Sequence, residues 1–266
     1  MARARRASAA RSRVSAIRIS RARRSPASAM TDATVKRVLG VFAHPDDSGF
    51  FCGASLARWA ALGAHVVIVV ATSGGKGSAD PTMTSDKLTV IREAEERKAV
   101  AELGAAEVVF LRQTDGELEP NLALRREITR QIRRVKPDLV VSLDPTVYWW
   151  GNGGINHPDH RAIGEATLAA VFPTARDRLN FPELELDEGL DVHKTPLVYI
   201  SGTAEPNVMV DVTDYLPVKL AALKHHASQI ADYDAMVERV TSRMLDPNAP
   251  LDQPRYIERF RAITIG

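Results

Sequence analysis

From Val35 onward, short runs of Val, Ile, Leu and Ala alternate with longer stretches whose apolar residues recur every three or four positions. RVLGVFA (37–43) predicts a strand, and 49–62 reads as a helix closed at Gly63. AHVVIVVAT (64–72) is almost continuously apolar, the pattern of a parallel strand covered on both faces. A polar, Gly-rich loop (73–86) leads to a helix over 88–103 and a strand over 107–111. A helix over 121–135 and a strand over 138–143 follow. Past a loop rich in Gly and aromatics, 158–171 reads as a helix and 197–201 and 208–212 as strands. The stretch 215–240 is helical with a break inside it. This alternation predicts an α/β, Rossmann-like, mostly parallel sheet with helices on both faces and right-handed crossovers. Ligands in such sheets sit beyond the carboxyl ends of the strands. Loops 44–47, 73–77, 114–116 and 144–160 all fall there, converging on one rim.

Charge divides the chain into two parts. Residues 1–29 hold nine Arg and no Lys, Asp or Glu. Of 35 basic residues this leaves 26 against 33 acidic ones, so the remainder carries −7, although the whole chain is at +2. The acidic body argues against a nucleic-acid partner. Three readings stay open for the leader: an organelle transit segment, a basic arm, or an upstream-start artefact ahead of Met30. In each it is a disordered extension over 1–30, with 31–266 as one catalytic domain. The apolar runs are too short to span a bilayer. The lone Cys52 suits a reducing, cytoplasmic setting, and a homo-oligomer is left open.

Candidate chemistry lies in two motifs, His44-Pro45-Asp46-Asp47 and His157-Pro158-Asp159-His160. Proline holds the residue before it extended. Pro158 suits a first helical position, with His157 at the cap and His160 one turn in on the same face. Two His and one Asp can fill three positions on Zn²⁺ and leave a fourth for water, whose pKa falls from about 15.7 to roughly 7. Adjacent carboxylates diverge, so one of Asp46 and Asp47 can hold metal while the other takes a proton. From spacing alone, Fe²⁺, Mn²⁺ and Ni²⁺ fit equally.

AHPDD after the first strand, followed by HPDH opening a helix, resembles the PIG-L / LmbE-like family of zinc-dependent deacetylases acting on N-acetylglucosamine-type sugars and related amides. The resemblance runs over 37–229. It includes TSGGKGS after the second strand, RxxE at Arg92 and Glu95, LG at 103–104, DGEL at 115–118, PDLVVSLDP at 137–145 and HASQ at 226–229. It implies that His44, Asp47 and His160 ligate zinc and that Asp46 is the general base. It implies that His157 stabilises the tetrahedral intermediate and helps protonate the departing amine, and that Arg92 and Asp115 contact the sugar of a small amino-sugar substrate. Two departures stand out. Ser48 and Gly49 occupy places where the family usually carries an acid, which motivates an alternative, a non-catalytic metal- or sugar-binding member. Ile155 replaces the Tyr of the mycothiol-type branch and argues against that substrate.

Other features carry less. SGGKGS (73–78) lacks the GxxxxGK[ST] spacing and no GxGxxG follows the first strand, so nucleotide binding is disfavoured. No GxSxG surrounds Ser48, which leaves a serine-hydrolase triad unsupported. Tyr148, Trp149 and Trp150 read equally as a sugar platform or as loop packing.

Overall fold

The computed structural model describes residues 35–151 and 153–266, and the leader considered above lies outside the described residues. Strands β1 (Arg37–Phe42), β2 (His65–Thr72), β3 (Glu107–Gln113), β4 (Leu139–Leu143), β5 (Leu197–Ser201), β6 (Val208–Asp211) and β7 (Ile257–Thr264) form a single sheet. Their spatial order is β3-β2-β1-β4-β5-β7-β6. The first five run parallel, β7 is antiparallel to β5, and β6 is antiparallel to β7. The helices are α1 (Asp47–Ala61), α2 (Ser85–Glu102), α3 (Leu122–Val135), α4 (Pro158–Ala169), α5 (Pro182–Leu186), α6 (Leu216–Lys224) and α7 (Tyr233–Met244).

The chain steps outward from β1 to β3 and then returns to β4 on the other side of β1. Right-handed crossovers therefore put α1 and α2 on one face and α3 and α4 on the other. Accordingly α6 packs on both α1 and α2, and α3 packs on α4. With helices on both sides, Val66 to Ala71 and Leu139 to Val141 are wholly buried, which is why these strands are continuously apolar. The order reverses between β1 and β4, the switch point where open α/β sheets bind ligands.

The break expected inside 215–240 is present: α6 ends at Lys224, and α7 starts afresh with Asp232 accepting the Ala235 N–H at 2.9 Å as its cap. The short helix α5 and the antiparallel strand β7 are additional. In β7, IERFRAIT mixes charge into the strand, and its Glu258 is buried against Lys219 Nζ at 2.7 Å.

That ion pair has a second task. Helix α1 is broken at Cys52 (φ −154°, ψ 24°). In an unbroken helix the N–H groups of Ala54 and Ser55 would pair with the carbonyls of Phe50 and Phe51. Here Glu258 accepts from Ala54 N (3.2 Å) and Ser55 N (2.7 Å). Lys219 Nζ donates to the Phe50 carbonyl (2.8 Å) and Ser201 Oγ to that of Phe51 (3.0 Å). Side chains inserted into the ladder are thus a sufficient cause of the kink.

Candidate metal and catalytic site

The first motif leaves β1 at the switch point, and the second returns from the loop after β4. His44, Asp47 and His160 each offer one ligand atom within 4.8 Å of the others. Each group is braced. Asp47 Oδ2 accepts the N–H groups of Ala43 (3.1 Å) and His44 (2.9 Å), while Oδ1 lies 3.1 Å from His160 Nε2. His160 Nδ1 lies 2.9 Å from Asn156 Oδ1. The buried Asn156 amide donates to the Val147 carbonyl at 2.7 Å, which leaves its oxygen to accept from Nδ1–H and puts the His160 lone pair on Nε2. His44 Nε2 sits 3.2 Å from Asp159 Oδ2 and 3.3 Å from Asp115 Oδ1, leaving Nδ1 to face Asp47 at 3.5 Å. Two nitrogens and one oxygen, each oriented from behind, match a catalytic Zn²⁺ donor set with an open position.

The electrostatics ask for a cation. Burial alone would discharge His44, but hydrogen bonds to Asp115, Asp159 and Asp47 outweigh it and raise its pKa to about 12. Burial also opposes the charge on Asp47, yet His160 and His44 hold its pKa well below the usual carboxylate range. A second group, His44, His157 and Asp159, is equally close. It suits a metal less well, because both Asp159 oxygens already accept backbone N–H groups, Oδ2 from Gly116 (2.8 Å) and Oδ1 from Leu118 (3.2 Å), whereas both N–H groups on Asp47 go to Oδ2.

Asp46 stands apart from the donor set. Its φ of 100° is a left-handed conformation that costs of order 1–3 kcal/mol. Its N–H donates to Glu96 Oε2 (3.0 Å), and Arg92 Nη2 lies 3.3 Å from its Oδ2. Burial, then the neighbouring Asp47, pushes its pKa up to about 8. His157 caps α4, with Nδ1 accepting the Asp159 N–H at 3.2 Å. The neutral ring therefore carries its proton on Nε2. Burial and the nearby His44 lower its pKa, which favours that neutral form.

Arg92 is buried and donates to the carbonyls of Gly74 (3.0 Å) and Pro45 (2.6 Å) as well as approaching Asp46. Asp115 contacts His44 and accepts the Lys76 N–H at 2.9 Å. The weaker motif pieces brace one another. Glu95 accepts from Ser228 N (2.8 Å) and Oγ (2.7 Å), and Gln229 donates to the Gly77 carbonyl (3.2 Å). His226 is wholly buried 3.4 Å from Glu96, and burial lowers its pKa to about 4.

The places at 48 and 49 acquire a physical account. Ser48 Oγ donates to Glu96 Oε1 at 2.9 Å, so α2 delivers a carboxylate to this point. A Cβ on Gly49 would meet the Leu223 Cδ2 of α6 at 2.9 Å, so a side chain there has to displace that leucine. Sequence reasoning missed Glu96, Asn156 and Asp159 as supporting groups. Asn156 adjoins HPDH and Glu96 directly follows RxxE, so adjacency to the motifs was the available signal. Of the aromatic trio, Trp150 lies 6.4 Å from Phe51, which itself stacks edge-on to His160, whereas Tyr148 receives Arg161 on its face at 4.4 Å.

Comparison with known proteins agrees with this geometry. The family model for PIG-L, GlcNAc-PI de-N-acetylase, matches residues 39–171, which contain both motifs. A diacetylchitobiose deacetylase of Thermococcus kodakarensis is 33% identical over 198 residues, 74% of this chain and 72% of the relative. The chain belongs to the PIG-L family. A 1D-myo-inositol 2-acetamido-2-deoxy-alpha-D-glucopyranoside deacetylase of Kineococcus radiotolerans is 28% identical over 84% of this chain and 77% of its own. Among solved structures, the N,N'-diacetylchitobiose deacetylase of Pyrococcus horikoshii aligns with a TM-score of 0.75 at 27% identity. That alignment covers 86% of this chain and 84% of the other. PIG-L membership thus coincides with a His–Asp–His group able to hold a metal ion.

Proposed function

We propose that this PIG-L protein is a metal-dependent amide hydrolase removing the acetyl group from an N-acetylglucosamine-type conjugate, with residues 31–266 as its catalytic domain. The observation that carries the reading is the separation of roles at the β1/β4 rim: His44, Asp47 and His160 converge, while Asp46 stands beside them outside the set. We assign Zn²⁺ to the site, because two imidazoles and one carboxylate with an open position suit it, although Fe²⁺ accepts the same donors. Such an ion supplies Lewis acidity toward an amide carbonyl and acidifies water.

The protein's own groups do the rest. Asp46 takes the proton of the attacking water from its place beside the donor set and outside it. Glu96 and Arg92 hold its backbone and side chain in place. His157 donates a hydrogen bond from Nε2–H to the charge developing on the carbonyl oxygen, and the departing amine takes the proton that Asp46 removed from the water, a transfer that His157 assists. The products are acetate and a free amine. Asp115 reaches the sugar from beside His44, and Arg92 positions the loop from behind. The carboxylate of Glu96 beside Ser48 weakens the case for a non-catalytic module, which rested on the absent acid.

Incubating the metal-loaded protein with N,N'-diacetylchitobiose and simple N-acetylglucosamine glycosides, while quantifying acetate and amine, tests the reading. Equimolar release that stops on chelation and returns with metal is expected. Metal-loaded protein that releases neither product would overturn it.

A further inference from the structure

Burial is complete at His226, and among the described residues neither of its ring nitrogens has a hydrogen-bond partner. Burial also keeps the imidazole neutral at physiological pH, so one nitrogen carries a hydrogen and the other a lone pair. An orphaned donor inside a protein bears its full desolvation penalty and calls for an explanation. A position that only filled space would be met better by leucine, which has no polar atom to bury. Nε2 faces Glu96 Oε2 at 3.4 Å, and an approach of about 0.5 Å brings the two to ordinary hydrogen-bond length. That neighbour selects the tautomer. With its hydrogen on Nδ1, the ring would aim the Nε2 lone pair at a carboxylate oxygen.

The oxygen that His226 faces is the one that holds Asp46. Glu96 Oε2 accepts the Asp46 N–H at 3.0 Å, while Oε1 accepts from Ser48 Oγ at 2.9 Å. Asp46 has a φ of 100°, a conformation that persists only where its surroundings hold it. The ring in turn has a fixed place against α2, the helix that carries Glu96. The His226 N–H donates to the Leu223 carbonyl (3.1 Å) at the end of α6. Just beyond, Ser228 is bound by Glu95 of α2, and Gln229 donates to the Gly77 carbonyl.

We propose that His226 is a positioning residue for deacetylation: its Nε2–H fixes the Glu96 carboxylate, Glu96 fixes the Asp46 backbone, and the base is thereby aimed at the attacking water. This rests on the reading of Asp46 as the base and adds a residue two contacts away from it. Misplacing a reacting group by about 1 Å can cost about 10²-fold in rate, so loss of the aim is read in kcat.

The test uses the metal-loaded full chain with N,N'-diacetylchitobiose as substrate. H226L removes the donor, whereas H226Q keeps an N–H close to the place of Nε2. H226L should retain its metal and a KM within about twofold of wild type, while kcat falls about tenfold or more. H226Q should recover most of that loss. Exchange of the Asp46 amide hydrogen, followed by NMR without substrate, should quicken about tenfold in H226L and stay near wild type in H226Q. Because His226 acts through Asp46, D46N/H226L should be no slower than D46N, whereas general damage to the fold would multiply the two losses. H226M supplies a second donorless side chain if H226L fails to fold, with circular dichroism checking both. A donorless variant within about threefold of wild-type kcat, or with unchanged Asp46 exchange, overturns the inference. So do an H226Q no faster than the donorless variant and losses that multiply in the D46N background. Loss of the fold in both donorless variants overturns it too, since His226 would then serve the core and not the base. In each of these outcomes acetate release by wild type leaves the deacetylase reading intact; no release by metal-loaded wild type overturns both.

Discussion

Buried ion pairs can often be replaced by apolar residues of similar volume without loss, because desolvation offsets their attraction. The Lys219–Glu258 pair should behave differently. Its side chains are each 2% exposed, and besides each other they serve Ala54 N–H, Ser55 N–H and the Phe50 carbonyl at the Cys52 break. E258Q leaves one acceptor oxygen where two N–H groups need partners and strands the Lys219 charge. Breaking a buried pair costs about 3–5 kcal/mol, against a typical total stability of about 5–15 kcal/mol. The decisive variant is K219M/E258M. Three backbone groups then lose partners at roughly 1–3 kcal/mol each, so a loss of at least about 3 kcal/mol is expected instead of neutrality. Urea unfolding followed by circular dichroism reads this from the midpoint at constant m. The kink also sets Phe51 edge-on to His160 at 5.4 Å, so kcat/KM should fall together with stability. A double variant as stable as wild type would refute the argument, since the break at Cys52 would then be shown to need no side-chain support.

Three further outcomes are expected. N156A frees the His160 ring and should weaken metal binding by about 10–100-fold in chelator competition, with the fold retained. E96A orphans the Asp46 N–H and the Ser48 hydroxyl and should cost about 2–6 kcal/mol in urea unfolding, whereas E96Q, which can pair with both, should cost much less. Glu93 is held at a pKa of about 2, below its ordinary 4.5, by Arg112 first and then by Ser73 and Arg97. A folded pKa below the unfolded one means stability present above about pH 4.5 and lost as pH falls toward about 2. Both arginines are more than half exposed, so the term is limited to about 1 kcal/mol, and E93Q should flatten the acid limb of the stability profile by that amount.

The sheet interior was legible because β1, β2 and β4 are covered on both faces and so become unbroken apolar runs. β7 was not, since its Glu258 and Arg259 are accommodated by Lys219 and by the end of α7, partners that only the tertiary structure supplies. The break between α6 and α7 was expected inside 215–240, and the Asp232 cap fixes where the second helix begins. At the site, paired His-Pro-Asp motifs at strand ends were enough to bring His44, Asp47 and His160 together in the reading. Asn156 and Asp159, which orient His160 and His44, and Glu96, which holds the Asp46 N–H, act through hydrogen bonds that reach across up to 115 residues, and in the sequence only their adjacency to the motifs points to them.

The central claim is that the group holding the proton is distinct from the groups holding the metal. Metal content by mass spectrometry and acetate release, measured together on D46N, test it most directly. The account predicts wild-type metal stoichiometry with acetate release lower by about 10²-fold or more. D46N that keeps its metal and deacetylates within a few-fold of wild type would contradict it, as would loss of the metal on this substitution.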